Sequence, residues 1–436
     1  MKSNRLTYLY DGNFFLHKTL HIIGAFDTKE PMFLKGDDEE KQERDKNSLL
    51  HKLTMDFSSD IRKAGKMIDE IIITMDDYSW RNEFFEDKEY MYRELLTDID
   101  GNVLNVECEI LVKKEDLAST DVEKREQVEQ ILANKIDYKG HRVKDKAFNW
   151  SLVYATFEQF LKELNEISGV KWSRIKGCEG DDIIFAVATY YAAMGKSVMI
   201  YSGDNDLKQL IAHNADNNAF IIHHKKTEKK IVMSQNTAKW FQNNDSTIKD
   251  LIRDFAHGND IKLLAESAFD IVFTKILTGD SGDNVGPVIL EPRQYGKKSA
   301  KAGQWRDVSI GKRVIDKIKE EIDYKKYDFL DFFRDDFISM LAKSVIRNFK
   351  PNFEFKTESI KNNILINRDL VFLHKNCIPQ SIYESMIEWI EQNYEKNDLN
   401  LKEFFSYKQL LEKMPNYTQK EENKASTATF FKHFDL

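Results

Sequence analysis

No stretch of about 18 consecutive apolar residues occurs in this 436-residue chain, so no membrane-spanning helix is expected. Cysteine is scarce: the three present, Cys108, Cys178 and Cys377, form no CxxC pair, which argues against disulfides and a cysteine zinc site. The opening residues, MKSNRLTYLYDGN, contain no signal-peptide apolar segment, and a reducing cytoplasm is the expected location. Several chemical signatures are absent as well. There is no HExxH for zinc, no GxxxxGK[ST] loop for a nucleotide and no GxSxG elbow for a serine nucleophile. The ten histidines are scattered, and His223-His224 lies in a strand-like run, AFIIHH, that reads as structural.

What is abundant is charge, 32% of the residues against 41% hydrophobic ones. That is enough apolar material for a buried core in two structural regions. The net charge of −8 argues against a nucleic-acid partner only as an average. Residues 83–137 hold 16 acidic and seven basic residues, more than the whole excess, whereas 290–319 hold nine basic and three acidic ones.

Apolar, strand-like runs repeatedly close on aspartate. LTYLY (6–10) meets Asp11, IIIT (71–74) precedes Asp76, and SVMIY (197–201) leads to Asp204. Helical patterns lie between them, including 60–70 and 181–195, the latter stopped by Gly195. Strands alternating with helices predict an α/β fold with a mostly parallel central sheet flanked by helices. In such sheets the site lies beyond the carboxyl ends of the strands, where these acids fall. From about residue 246 the pattern turns helical, at 266–278, 309–320, 334–348, 379–394 and 401–413. The expected organisation is therefore a core of 1–245, with 83–137 as an acidic insertion carrying a helix near 121–135, and a helical C-terminal domain of 246–414. Residues 415–436 form a polar, flexible tail. No internal repeat is seen.

The stretch GCEGDDIIFAVATYYAAMGKSVMIYSGDNDLKQL (177–210) crowds five carboxylates around two apolar runs. Glu179 and Asp182 are three apart at a helix start with Asp181 beside them, where the helix N-terminus favours negative charge. Asp204 and Asp206 follow a strand through Ser202-Gly203. Capping and turn chemistry would account for either cluster alone. A third cluster, TKILTGDSGDNVGP (274–287), adds Asp280 and Asp283. Nine acids at element ends can coexist if divalent metal lies among them, and Mg²⁺ takes hard oxygen ligands of this kind. Two ions about 4 Å apart would activate a water and stabilise the leaving oxygen of a phosphodiester.

With these motifs in order, the chain resembles the 5′ nuclease or flap endonuclease family, most of all its T-even-phage branch of RNase H-type replication nucleases. CEGDDII (178–184) matches the family's E-A-[DN]-D helix start, and YSGDNDLKQL (201–210) its S-[GS]-D-x-D-x-x-Q-L motif. LTGDSGDNV (277–285) matches L-x-G-D-x-x-D-N, YDGN (10–13) and ITMDDYSWR (73–81) fit the first two acidic motifs, and YKGHR (138–142) fits the basic segment. The likeness runs from about residue 5 to 320. It implies a PIN-like 5′ nuclease fold with a helix-turn-helix-like element near 280–320. It also implies Mg²⁺-dependent 5′-3′ exonuclease and flap endonuclease activity on DNA and RNA–DNA hybrids, as in removing RNA primers and flaps during phage DNA replication in an infected bacterial cell.

By the same resemblance Asp11, Asp76, Glu179, Asp181, Asp182 and Asp204 surround one Mg²⁺, and Asp206, Asp280 and Asp283 define a second, with Mn²⁺ as an alternative ion. Asp77 is left out, because strand alternation turns it away from Asp76. Arg81, Lys139 and Arg142 would meet the 5′ strand and scissile phosphate, and Trp80 is either a base-stacking or a core residue. Lys298, Gly311 and Lys312 lie in a basic stretch (286–313) that would grip duplex phosphates, with Ser309-Ile310-Gly311-Lys312 presenting backbone N–H groups at a helix start. The insertion 83–137 departs from the family and would repel a phosphate backbone lying along it. A PIN-type ribonuclease and a catalytically inactive nucleic-acid-binding module are the alternatives; all the acids are present, which disfavours the second. A monomer is expected. The terminal FFKHFDL, through Phe430, Phe431, Phe434 and Leu436, resembles peptides that dock on a sliding clamp. Deleting 430–436 is expected to remove clamp stimulation while sparing basal cleavage; unchanged clamp-dependent cleavage ends that reading.

Overall fold

The computed structural model describes residues 6–27, 29–61, 68–82, 90–93, 96–97, 103–105, 109–112, 138–139, 147–225, 228–243, 262–294, 301, 305–352, 355–394 and 399–406. The chain divides into two compact units, one of Met1–Asp77, Lys144–Glu266 and Ser381–Leu436, the other of Tyr78–Val143 and Ser267–Gln380.

The first unit runs β1 (Leu6–Asp11), α1 (Gly12–Ile22), α2 (Glu39–Ile61), β2 (Ile68–Met75), α3 (Trp150–Ser168), β3 (Lys171–Arg174), α4 (Gly180–Ala193) and β4 (Ser197–Tyr201). Then follow β5 (Ala212–Asn214), β6 (Ala219–Lys225), β7 (Lys230–Ser234), α5 (Gln235–Asn243), β8 (Lys262–Glu266) and α10 (Gln380–Asn393). The strands form one sheet in the order β8-β7-β6-β4-β1-β2-β3, with β5 against β6. β1 is parallel to both β2 and β4, β2 to β3, and β4 to β6, while β7 is antiparallel to β6. The expected mostly parallel sheet flanked by helices is thus present.

Its strands are apolar on both sides because both faces are covered. Tyr8, Tyr10, Ile71, Ile73 and Tyr201 face one core with Phe15 and Leu16 of α1, Leu53 and Phe57 of α2, and Phe157 and Leu161 of α3. Alternate residues such as Leu9, Ile72, Val198 and Ile200 are buried outside that cluster, on the face covered by α4. The register sets Asp11 opposite Thr74, and Tyr10 opposite both Ile73 and Tyr201. The three central strands therefore end together, and the residues just beyond them share one edge.

Two expectations are corrected. Of the helix expected at 60–70, residues 60–61 belong to α2 and 68–70 belong instead to the strand Ile68–Met75, while 62–67 lie outside the described residues. Ile68 is carried into the strand that continues through the expected run 71–74, whose pairing between β1 and β3 and burial override the helical spacing of the preceding residues. Residues 262–266, placed by pattern in a helical region, add a parallel strand beside β7. The helix at 150–168 and the charged helix at 39–61 were not read from the sequence.

The second unit contains α6 (Ala268–Thr278), an antiparallel hairpin of β9 (Leu290–Gln294) and β10 (Trp305–Ser309), α7 (Lys312–Glu321), α8 (Asp335–Phe349) and α9 (Thr357–Val371). Phe273, Ile276, Leu277, Ile315, Ile318, Leu341, Val345 and Ile364 build its core. The helix, hairpin and helix at 268–321 occupy the place expected for a helix-turn-helix-like element. Within 83–137 the described residues form two short antiparallel pairs, Tyr90–Arg93 with Glu109–Val112 and Leu96–Thr97 with Val103–Asn105. The helix expected near 121–135 lies outside the described residues, as do 415–436. Among the described residues no helix is long and apolar enough to cross a membrane.

Gly12 is where α1 leaves β1, and a Cβ there would stand 2.3 Å from the carbonyl oxygen of Thr74 on β2. Gly12→Ala is expected to destabilise the fold by about 1–3 kcal/mol, the usual cost of forcing atoms into a filled site. Urea unfolding measures this; an unchanged midpoint would contradict the close approach.

Candidate metal centre

The register above delivers Asp11, Asp76 and Asp204 to the same edge, and α4 brings its first turn there. Each acid is fixed by backbone or hydroxyl donors. Asp11 caps α1: its Oδ1 accepts the Phe14 N–H at 2.9 Å and its Oδ2 the Ser202 hydroxyl at 2.6 Å. Ser202 is buried, and the same Oγ accepts the Asp204 N–H at 2.9 Å. Asp204 Oδ1 then accepts the Asp206 N–H at 2.8 Å, opening a 3-10 turn at Asp206–Leu210. One hydroxyl thus ties the end of β1 to the turn after β4.

On the other side of β1, Asp76 Oδ1 accepts the Gly180 N–H at 2.6 Å. A Cβ on Gly180 would lie 3.1 Å from that oxygen and 3.2 Å from Thr74 Oγ1, so a small residue lets Asp76 approach the start of α4. Glu179 is the N-cap of α4 and forms a capping box with Asp182, whose carboxylate accepts the Glu179 N–H at 3.1 Å. Asp182 is fully buried, so its expected place at the centre coincides with a capping role. Asp181, half-buried on the same turn, has no such assignment.

The electrostatics show convergence. Burial raises the Asp181 pKa well above the ordinary carboxylate value, and the negative charges of Asp204, Asp11, Asp76 and Glu179 raise it further. Asp11 is also raised, by burial first and by Asp204, although the Phe14 and Ser202 hydrogen bonds oppose this. Four carboxylates from four separate chain segments therefore act on Asp181, and Asp204 acts on Asp11 as well. The donor set is hard oxygen throughout, and negative charge gathered in this way fits a divalent cation. Asp77 behaves as expected of a residue turned away: it pairs with Arg174 Nε at 3.0 Å, and its N–H donates to Cys178 O.

Sequence reasoning assigned no role to Ser202 or Lys225. Lys225 is buried, and its Nζ donates to Asn205 Oδ1 at 2.9 Å, supporting the turn between Asp204 and Asp206 from behind. Ser202 stood inside a quoted motif, but only the fold shows what its hydroxyl reaches.

In the second unit Asp280 and Asp283 share one tight turn after α6. The turn is closed by Asp280 N–H to Val285 O and Val285 N–H to Asp280 O, both 2.8 Å. Asp280 Oδ2 pairs with Lys275 Nζ at 2.7 Å, and Asp283 accepts from the Tyr138 hydroxyl at 3.1 Å with Lys139 Nζ 4.0 Å away. Arg81 is buried, its Nε on Leu370 O at 3.1 Å and its guanidinium 4.5 Å from the Trp80 ring; Trp80 is itself buried. Gly311 caps α7, and Lys312 is exposed, pairing with Asp316. Arg142 and Lys298 lie outside the described residues.

Residues 118–242, which include Glu179, Asp181, Asp182, Asp204 and Asp206, match the family model of the 5′-3′ exonuclease N-terminal, resolvase-like domain. No curated protein sequence matches the chain. Among solved structures, the bacteriophage T5 D15 flap endonuclease, described as a pseudo-enzyme-product complex with DNA and metal ions, is 12% identical, with 90% of this chain and 100% of that one covered and a TM-score of 0.45. A mutant of the T5 5′-exonuclease is 10% identical over 89% of this chain and 98% of its own, at a TM-score of 0.43. T5 D15 protein co-crystallised with metal ions is 12% identical over 89% and 99%, at 0.41. Likeness at that level carries no weight by itself. The domain match, which spans the motifs at 178–184 and 201–210, supports the resemblance to the 5′ nucleases.

Because the folded chain holds the Asp181 proton more tightly than the unfolded chain does, the stability from this group is present at low pH. It is lost as pH rises from about 4 through the raised folded value. Asp181→Asn should therefore raise the thermal midpoint of the metal-free protein by several degrees at neutral pH and shrink the further rise caused by added Mg²⁺. Differential scanning calorimetry checks both; a lower metal-free midpoint would contradict the convergence of charge.

Proposed function

We propose that this chain is a divalent-metal-dependent 5′-3′ exonuclease and flap endonuclease that cleaves DNA and RNA–DNA hybrids, removing primers and flaps during phage DNA replication. The observation that carries the reading is that Asp11, Asp76 and Asp204 follow neighbouring parallel strands and, with Glu179, lie near enough to raise the Asp181 pKa. The match of residues 118–242 to the 5′-3′ exonuclease N-terminal domain model supports the reaction class. Mg²⁺ is the ion the donors suit, with Asp11, Asp76, Asp181 and Asp204 as its holders in the first unit. When bound, it supplies Lewis-acid polarisation of the phosphate and neutralises charge on the leaving oxygen.

The chain's own residues do the positioning. Ser202 and the Phe14 N–H keep Asp11 turned to the edge, the Gly180 N–H fixes Asp76, and the capping box aligns the first turn of α4. Such preset geometry spares the reaction the cost of gathering like charges at the moment of catalysis. Asp280 and Asp283 are assigned to the second ion, and Lys139, Arg142, Lys298, Gly311 and Lys312 to phosphate contacts. The terminal peptide with Phe430, Phe431, Phe434 and Leu436 is assigned to a sliding clamp.

Cleavage of a 5′-labelled flap should require Mg²⁺ and stop with EDTA. Asp204→Asn should bind the flap within a few-fold of wild type yet cut it more than about 100-fold slower, beyond what loss of a merely supporting contact to a metal ligand produces. Normal cutting by that variant would refute the assignment.

A further inference from the structure

The turn that carries Asp280 and Asp283 is gripped from outside its own segment by two asparagines of α9. Asn367 is fully buried, and its Nδ2 donates to Ile276 O at 2.9 Å and Gly286 O at 2.8 Å. Ile276 lies in the last turn of α6 and Gly286 follows the acidic turn, so one amide group spans both legs. Both partners are carbonyls, which fixes the orientation of the amide, since only its NH₂ end can serve two acceptors. One turn earlier in α9, Asn363 Nδ2 donates to Val288 O at 3.1 Å, and Val288 N–H caps Leu277 O.

These contacts solve a local problem. The last carbonyls of a helix have no partner within it, and here the chain leaves α6 through Gly279 at φ +69° rather than through a longer cap. A Cβ at Gly279 would stand 2.3 Å from the carbonyl oxygens of Val285 and Gly286, so the two legs are pressed together there. Asn367 bridges the gap just beneath. Its own Oδ1 has no partner among the described residues, a cost in a buried site that marks the side chain as held for its two donors.

We infer that Asn367 is a positioning residue of the nuclease: it closes the base of the 276–286 turn and so sets the spacing and direction of Asp280 and Asp283. The inference rests on the reading that Asp280 holds a divalent ion, and it adds a residue that no motif contains. Asn367 touches neither substrate nor metal, and its effect passes through the backbone. Asn363 reinforces the exit leg.

Two readouts test it on the full-length protein. Hydrogen exchange of the metal-free chain should show the Asp280 and Val285 amides opening faster in Asn367→Leu, while α8 exchanges as in wild type. Electron paramagnetic resonance of free Mn²⁺ should show weaker binding by about 10–100-fold for the ion that Asp280→Asn loses. Ile364→Val, a small cut in the same helix, controls for general destabilisation and should leave Mn²⁺ binding unchanged. Asn367→Ser, shorter and keeping a single donor, should give a smaller shift of the same kind and serves if leucine is not tolerated. Unchanged exchange at Asp280 and Val285, unchanged Mn²⁺ affinity, or an equal shift in Ile364→Val would overturn the positioning role. Unchanged Mn²⁺ binding in Asp280→Asn would instead remove the metal assignment itself, a result obtained with Asn367 intact, and the inference would fall with it.

Discussion

Carboxylates that share one edge of a sheet repel one another, and the first unit is built to hold them there regardless. The repulsion is opposed by neutral donors. Asp11 takes a helix N–H and the Ser202 hydroxyl, Asp76 takes the first N–H of α4, and Asp182 takes the Glu179 N–H. None of these removes negative charge, and Asp181 remains under the combined field of four neighbours. A fold that spends its caps on gathering acids keeps local strain for a purpose, and a divalent cation is the chemical species that relieves it.

The second unit treats its acids differently. Asp280 has the Lys275 ammonium at 2.7 Å, and Asp283 has a phenol and a lysine nearby. Their turn is stiffened by paired backbone bonds and by buried amides from α9. The first group is thus held by backbone and hydroxyl donors, and the second also has cations close at hand.

Much of the first arrangement was legible in the sequence because it is local. An apolar run that ends on aspartate reads as a buried strand whose end faces the crevice, and LTYLYD, IIITMD and SVMIYSGD all behaved so. The helix start at Glu179–Asp182 was legible for the same reason. What could not be read were contacts between distant segments. Ser202 reaches Asp11 across 191 positions and Asn367 reaches Ile276 across 91, and no spacing announces either. Residues 68–70 misled because Ile61 and Ile68 at a helical interval are also the material of a central strand; the pairing of Ile68–Met75 decided between the two. Arg81 read as a phosphate ligand by its motif, yet its guanidinium is packed on Trp80 and bonded to a carbonyl, a distinction that depends on burial.

The central claim is that acids of the first unit are gathered to hold a hard cation. Anomalous diffraction from crystals soaked in Mn²⁺ addresses it most directly. The account predicts a peak within coordinating distance of the Asp11, Asp76, Asp181 and Asp204 carboxylates, at about 2.0–2.2 Å from their oxygens. Absence of any peak there under saturating Mn²⁺, with those side chains turned to separate protein cations, would contradict it.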